Sequence, residues 1–266
     1  MSIRIACTLF VIISFANLNH AMAQINGFTQ PYREIDLASD ETGSISTLNV
    51  NAGTEVEVGQ IIARLDDGVQ KLQVEQASHL SHSTSALESA KKTYEKRQLI
   101  TERIRELIST GHATDSELIR AELEESIAQA NYMAAQENTI GHEINLRKAE
   151  LMLERRLIRA PFAGVVSKVH RRQGEFLSPL KPELVRLVQV DQLLAIFNIP
   201  SHQVKSLHQD QPLIVAFHDG TETQGTLHAV GVQTDAESGT VEVKILLDNQ
   251  AGDMRSGEQC YLDITF

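Results

Sequence analysis

The chain has no tryptophan, two cysteines and six prolines among its 266 residues, and aromatic side chains make up only 5% of it. Each shortage removes a class of function. With so few rings, a surface that stacks sugars or bases is not expected. Cys7 and Cys260 are too few for a disulfide framework or a cysteine-rich zinc site. Positive charge is also scarce, since 24 Lys and Arg stand against 35 Asp and Glu for a formal net charge of -11. A protein that grips a phosphate backbone needs a basic face, so nucleic acid is not an expected partner. No Ser/His/Asp pattern, phosphate-binding loop or cysteine-nucleophile motif stands out, and no enzyme is read here. The 42% hydrophobic content is still enough for real cores.

The only long apolar run is at the start. Arg4 precedes Ile5 to Ala16, and polar residues then lead to Ala21-Met22-Ala23. A positive segment, a short apolar run and small residues at the expected cleavage point read as a secretory signal over 1–23. The run is short of the ~20 residues that span a bilayer, although an uncleaved inner-membrane anchor is the alternative. The mature chain is expected in an extracytoplasmic space. Cys260 is expected as a small buried apolar side chain in the last strand.

An interrupted repeat organises the rest. Gly43 to Val56 and Gly164 to Leu177 share a glycine, an apolar residue two on, serine three on, an apolar residue five on, a second glycine ten on and an apolar residue thirteen on. Such matched spacing predicts one sheet built from two similar halves, with Gly53 and Gly174 at turns that want positive φ. Pro161 keeps a helix from running into the second half.

Between the halves, about Val69 to Ser109 and Ser116 to Arg156 lack proline, contain only Gly141 as glycine, and are rich in Ala, Glu, Gln, Lys, Arg and Leu. That composition predicts two long helices. In the second arm Leu118, Ala121, Glu125, Ala128, Tyr132, Ala135, Thr139, His142, Leu146, Ala149 and Leu153 recur at steps of three and four. In the first arm Leu72, Gln76, His79, Ser83, Ala86, Ala90, Thr93, Arg97, Ile100, Ile104 and Leu107 do nearly the same. Both patterns fit an antiparallel coiled coil with a thin core. Gly111 can end the first arm, and Thr114 or Asp115 can cap the second. At ~1.5 Å per residue, each arm would reach about 60 Å, which suggests reach toward a partner. After Pro182 the chain alternates in short strand-like runs, with a short helix expected over 202–207, and predicts a small antiparallel β-barrel.

The split repeat, the helical insertion, Ala160-Pro161-Phe162-Ala163-Gly164 and the Val56 to Asp66 segment together resemble the HlyD-like membrane fusion proteins, the periplasmic adaptors of efflux pumps. The resemblance implies an elongated α+β fold: a split biotinyl-lipoyl-like β-sandwich over 34–67 and 157–181, an antiparallel α-helical coiled-coil hairpin over 68–156, and a β-barrel over 182–266. It implies an adaptor between an inner-membrane transporter and a TolC-like outer-membrane channel, self-associated in a ring of six. Resistance-nodulation-division transporters are the favoured partners, and ABC or major-facilitator exporters the alternative. Arg103, Leu107 and Thr114 match the spacing by which such hairpins dock on a TolC-like channel. On their own residue chemistry the same three read rather as a solvated charge, a coil-closing leucine and a helix cap. The further membrane-proximal β-domain of many pump adaptors is expected to be absent. So is the carrier lysine, and with it any biotin or lipoyl cofactor; a carrier subunit or a coiled-coil scaffold outside transport are the remaining alternatives. His79 and His82, three apart on one predicted helix, are the best metal-ligand pair, yet no third ligand accompanies them and no metal is expected.

Overall fold

The computed structural model describes residues 24–263, so the signal-like segment lies outside the described residues. Two compact units divide the chain, one of 34–188 and one formed by the N-terminal residues through Arg33 together with 189 onward. Among the described residues no helix is long and apolar enough to cross a membrane.

In the 34–188 unit the repeat appears as reciprocal pairing. Strand β2 (Gly43–Leu48) from the first half pairs with β7 (Phe176–Leu177) from the second, and β3 (Glu55–Val56) pairs with β6 (Gly164–Val169). Gly43 faces Leu177 and Val56 faces Gly164, each the image of the other under the repeat's own alignment. The turns repeat as well: the Gly53 N–H donates to the Val166 carbonyl at 2.8 Å, and the Gly174 N–H to the Ile45 carbonyl at 2.9 Å. Both glycines have φ of +87°, which side-chain-bearing residues rarely adopt. The equivalent pairs Ile45 with Val166, and Val56 with Leu177, are buried in one core.

β4 (Ile61–Leu65) and β5 (Leu157–Arg159) flank the helical insertion and pair antiparallel, Arg64 opposite Leu157. The chain therefore leaves and re-enters the base at adjacent points. Asp67 caps the exit: buried, it meets Arg64 at 2.8 Å and Lys71 at 2.9 Å. The Lys71 bond first, and the Arg64 bond after it, hold its carboxyl below the usual aspartate range. At re-entry, Arg156 donates to the Thr42 carbonyl at 2.8 Å.

The insertion consists of α1 (Gly68–Ser81), α2 (Ser85–Ser109) and α3 (Asp115–Glu154). The first arm is thus broken, where the sequence predicts one helix. Ser81 donates to the Ser78 carbonyl, and the His82 ring lies 2.7 Å from that same oxygen. Side chains that bond the local backbone compete with helix continuation, and a fresh helix then starts after Thr84, whose hydroxyl donates to the Glu88 carboxylate rather than capping the backbone. The break resets the phase. Leu72, Gln76 and His79 are exposed, while Val74, Ala77 and Ser78 turn inward. In α2 the inward series is Leu87, Ala90, Tyr94, Arg97, Ile100, Thr101, Ile104 and Ile108, so Ala90, Arg97, Ile100 and Ile104 lie inward as expected while Ile108 takes the place expected for Leu107. In the unbroken α3, every residue expected on the seam is buried or half-buried.

Among the described residues the other unit is β apart from a single 3-10 turn at Val204–Ser206, less than the expected helix. Its strands run in the order β1 (Gln24–Ala38), β12 (Gln259–Asp263), β9 (Pro212–Phe217), β10 (Glu222–Thr234), β11 (Thr240–Asp248) and β8 (Glu183–Pro200), with β1 pairing β8 in turn. β1 and β8 contribute residues to both units. Strict alternation in β11 buries Val241, Val243, Ile245 and Leu247, the last three in one core with Phe197, Leu227 and Cys260. Cys260 is fully buried in β12, and burial pushes its thiol up to about 11.

Candidate functional site

The free end of the helical hairpin is built by two local signals. Thr110 ends α2 and Gly111 follows with φ of +74°. The Gly111 N–H donates to the Ile108 carbonyl at 2.9 Å and the His112 N–H to the Leu107 carbonyl at 2.8 Å, which is the Schellman pattern. Thr114 then opens α3 with a capping box. Its hydroxyl donates to the Glu117 carboxylate at 2.9 Å and accepts from the Glu117 N–H, while its own N–H donates to that carboxylate at 2.8 Å. The Thr114 N–H first, and its hydroxyl second, hold the Glu117 carboxyl below its usual range.

Arg103 and Leu107 lie one turn apart on the same face of α2. With Lys96, Leu99, Ile100 and Ile104 they line a shallow groove of about 300 Å³. The neighbouring arginines behave differently. Arg97 is paired to Glu124 at 2.5 Å and Arg105 to Glu122 at 2.9 Å, both across to α3. Arg103 is exposed and forms no ion pair with a described residue, and Leu107 is 40% exposed while Ile108 packs inward. The structure therefore joins Arg103 to Leu107 as an outward charged-and-apolar face. Thr114 sits across the turn with its hydroxyl engaged in the cap.

Sequence reasoning missed Leu99, which is 67% exposed and extends this face by one turn. Its signal was the four-residue step from Leu99 to Arg103 to Leu107. It also missed Thr101, a buried hydroxyl that donates to the Arg97 and Ala121 carbonyls and brings the two arms close. Tyr94 stacks on Tyr132 across the arms, ring centroids 6.1 Å apart. His79 and His82 are both exposed, and no group of three metal-ligating side chains occurs among the described residues.

No family model matches the chain. It is 25% identical over 240 residues to nodulation protein NolF of Rhizobium meliloti, covering 88% of this chain and 60% of that protein. It is 26% identical over 227 residues to multidrug resistance protein MdtA of Escherichia coli, covering 81% of this chain and 51% of that one. The chain thus spans between half and two thirds of the length of these curated relatives. Among solved structures, MacA from Actinobacillus actinomycetemcomitans superposes with a TM-score of 0.78 at 19% identity, over 91% of this chain and 78% of that one. The membrane fusion protein Spr0693 from Streptococcus pneumoniae R6 gives 0.66 at 14% identity, over 91% and 98%. These two likenesses show a common fold.

Proposed function

We propose that this chain, a membrane fusion protein of the HlyD-like class, is the periplasmic adaptor of an efflux system and couples an inner-membrane transporter to a TolC-like outer-membrane channel through its hairpin tip. The observation that carries this reading is the helical hairpin inserted between two strands that pair with each other, ending in the unpaired Arg103–Leu107 face. A hairpin that long contributes little to closing β4 onto β5, so its length is explained by what it reaches. The name of one relative, multidrug resistance protein MdtA, supports efflux.

On this reading the reciprocal halves over 34–67 and 157–181 are a biotinyl-lipoyl-like base, and 182–266 a barrel that follows transporter movement. The base serves as scaffold, carries no cofactor and performs no catalysis. Arg103 supplies a forked donor to a channel acceptor, Leu107 an apolar knob, and Thr114 fixes the turn that presents them. The signal-like start favours a resistance-nodulation-division transporter, and copies assemble as a ring, six in number.

The test is a channel pull-down with Arg103→Asp and Leu107→Ser. Both side chains are outside the seam, so helix content and melting are expected to stay as in the parent while channel capture and export are lost. Retained capture by both variants rejects tip docking.

A further inference from the structure

The two halves of the repeat share a groove to which each contributes equivalent residues. Leu48 and Val169, partners under the repeat's alignment, both line it, and so do the equivalent Asn51 and Arg172. The turns that carry the second pair match as well: the Thr54 N–H donates to the Asn51 carbonyl and the Glu175 N–H to the Arg172 carbonyl, each at 3.1 Å. The pairing registers of β2 and β6 also slip at equivalent serines, Ser46 and Ser167. A bulge of this kind breaks strand alternation and re-aims the residues beside it. In β6 it lets the consecutive Ser167, Lys168 and Val169 all line the groove, whose volume is about 660 Å³. Sites of that size take small organic molecules.

The backbone repeats, but the charge does not. Where the first half has Thr47, Asn49, Val50 and Asn51, the second has Lys168, His170, Arg171 and Arg172. Two of these are already answered, Arg171 by Glu175 at 3.4 Å and the His170 ring by Asp36 at 3.1 Å. Lys168 and Arg172, both exposed, form no ion pair with a described residue, and no acidic residue lines the groove. Two like charges at one groove repel each other, and a bound anion relieves that repulsion while accepting charge-assisted hydrogen bonds.

The floor decides which kind of anion. Leu48 and Val169 pack on the core of the base but are only half-buried, so each keeps apolar surface on the groove side. An inorganic ion would leave that surface wet. A nucleic acid or an acidic bilayer would call for a far larger basic face. We propose that the groove binds a small organic anion, its acidic group on Lys168 and Arg172 and its apolar body on Leu48 and Val169. The site lies wholly within the 34–188 unit and does not depend on docking of the hairpin to a channel.

The experiment titrates purified protein, from which the signal segment has been processed, with anilinonaphthalene sulfonate, an anion with an apolar body, and with its uncharged analogue N-phenylnaphthylamine. Saturable binding of the sulfonate that weakens with added salt is expected, and weaker binding of the neutral dye. Lys168→Thr with Arg172→Asn gives the second half the residues of the first. That double variant is expected to lose about tenfold in affinity for the sulfonate, with the parent's melting temperature, because both side chains are exposed. Asn51→Arg makes the opposite exchange and is expected to tighten binding severalfold. Lys181→Gln, at an exposed cation outside the groove, is expected to change nothing. Parent-like affinity in the double variant would put the dye on apolar faces elsewhere and overturn the proposal. So would an equal loss in Lys181→Gln, or neutral dye bound as tightly as the sulfonate. Should the double variant fail to fold, Asn51→Arg decides, and unchanged affinity there overturns the proposal.

Discussion

Asp36 is the best-held carboxylate in the base of the molecule. Arg186 grips it with two bonds of 2.8 Å, and the His170 ring lies 3.1 Å away. The Arg186 hydrogen bonds lead in lowering its pKa from 3.8 to about 2, ahead of the His170 contribution and against the cost of burial. A carboxyl lowered by folding stabilises fully above its unfolded pKa, and that stabilisation is lost as pH falls through the folded value. The window here is therefore about pH 4 down to about 2. Asp36→Asn is expected to lower the midpoint of denaturant unfolding at pH 7 and to flatten the acid limb in that window. The limb should not vanish, because Asp67 is lowered in the same direction by Lys71 and Arg64. An acid limb identical to the parent's would show that the Arg186 clamp contributes nothing. None of this was legible in the sequence, since Asp36 and Arg186 are distant in the chain and only the pairing of β1 with β8 brings them together.

Among the elements, β1 and α3 make opposite demands on glycine. A Cβ at Gly27 in β1 would run into the Ile196 carbonyl oxygen and the Phe197 ring, whereas one at Gly141 in α3 would meet nothing within 4 Å. Gly27→Ala is expected to destabilise by about 1–3 kcal/mol through overpacking, and Gly141→Ala to stabilise by up to about 1 kcal/mol through helix propensity. Thermal melts of the two single variants check both signs, and a neutral Gly27→Ala would remove the close approach of β1 to β8. The α3 seam was legible because one unbroken helix keeps one phase over its whole length. The α1 seam was misphased, and the α2 seam missed at Ala86, Thr93 and Leu107, because the break depends on serine and histidine side chains bonding back to the Ser78 carbonyl, a three-dimensional choice that periodicity does not record. β1 was missed altogether. Its alternation of Ile25, Gly27 and Thr29 is interrupted by the small glycine that the Phe197 ring requires, and the buried Thr29 hydroxyl is satisfied by the Arg255 carbonyl and the Glu258 N–H, far along the chain. At the tip, Gly111 and Thr114 were legible as stop and start signals because both act locally. That Arg103 stands unpaired while Arg97 and Arg105 cross to α3 was not legible, because it depends on the rotation of α2.

At the scale of the whole molecule, the helical arms and the β-rich base are separable in folding terms. The insertion leaves from β4 and returns to β5, which already pair, and the Leu65 N–H donates to the Arg156 carbonyl at 2.9 Å at the very point of insertion. Replacing the hairpin by a short loop therefore closes a ladder that exists without it, and the loop-closure cost grows only slowly with length. The cores confirm the independence: Ile45, Ile62, Val166 and Leu177 bury one another with no residue of α1, α2 or α3 in their cluster. A variant in which residues 70–152 give way to a few Gly and Ser is expected to melt cooperatively with a β-type spectrum. On the proposed adaptor reading it should lose channel capture. Collapse of the base in that variant would mean that the arms hold the two halves of the repeat together. The reciprocal pairing of β2 with β7 and of β3 with β6 argues the other way, since each half supplies the strand the other lacks and no residue of α1, α2 or α3 takes part in the backbone bonds between them.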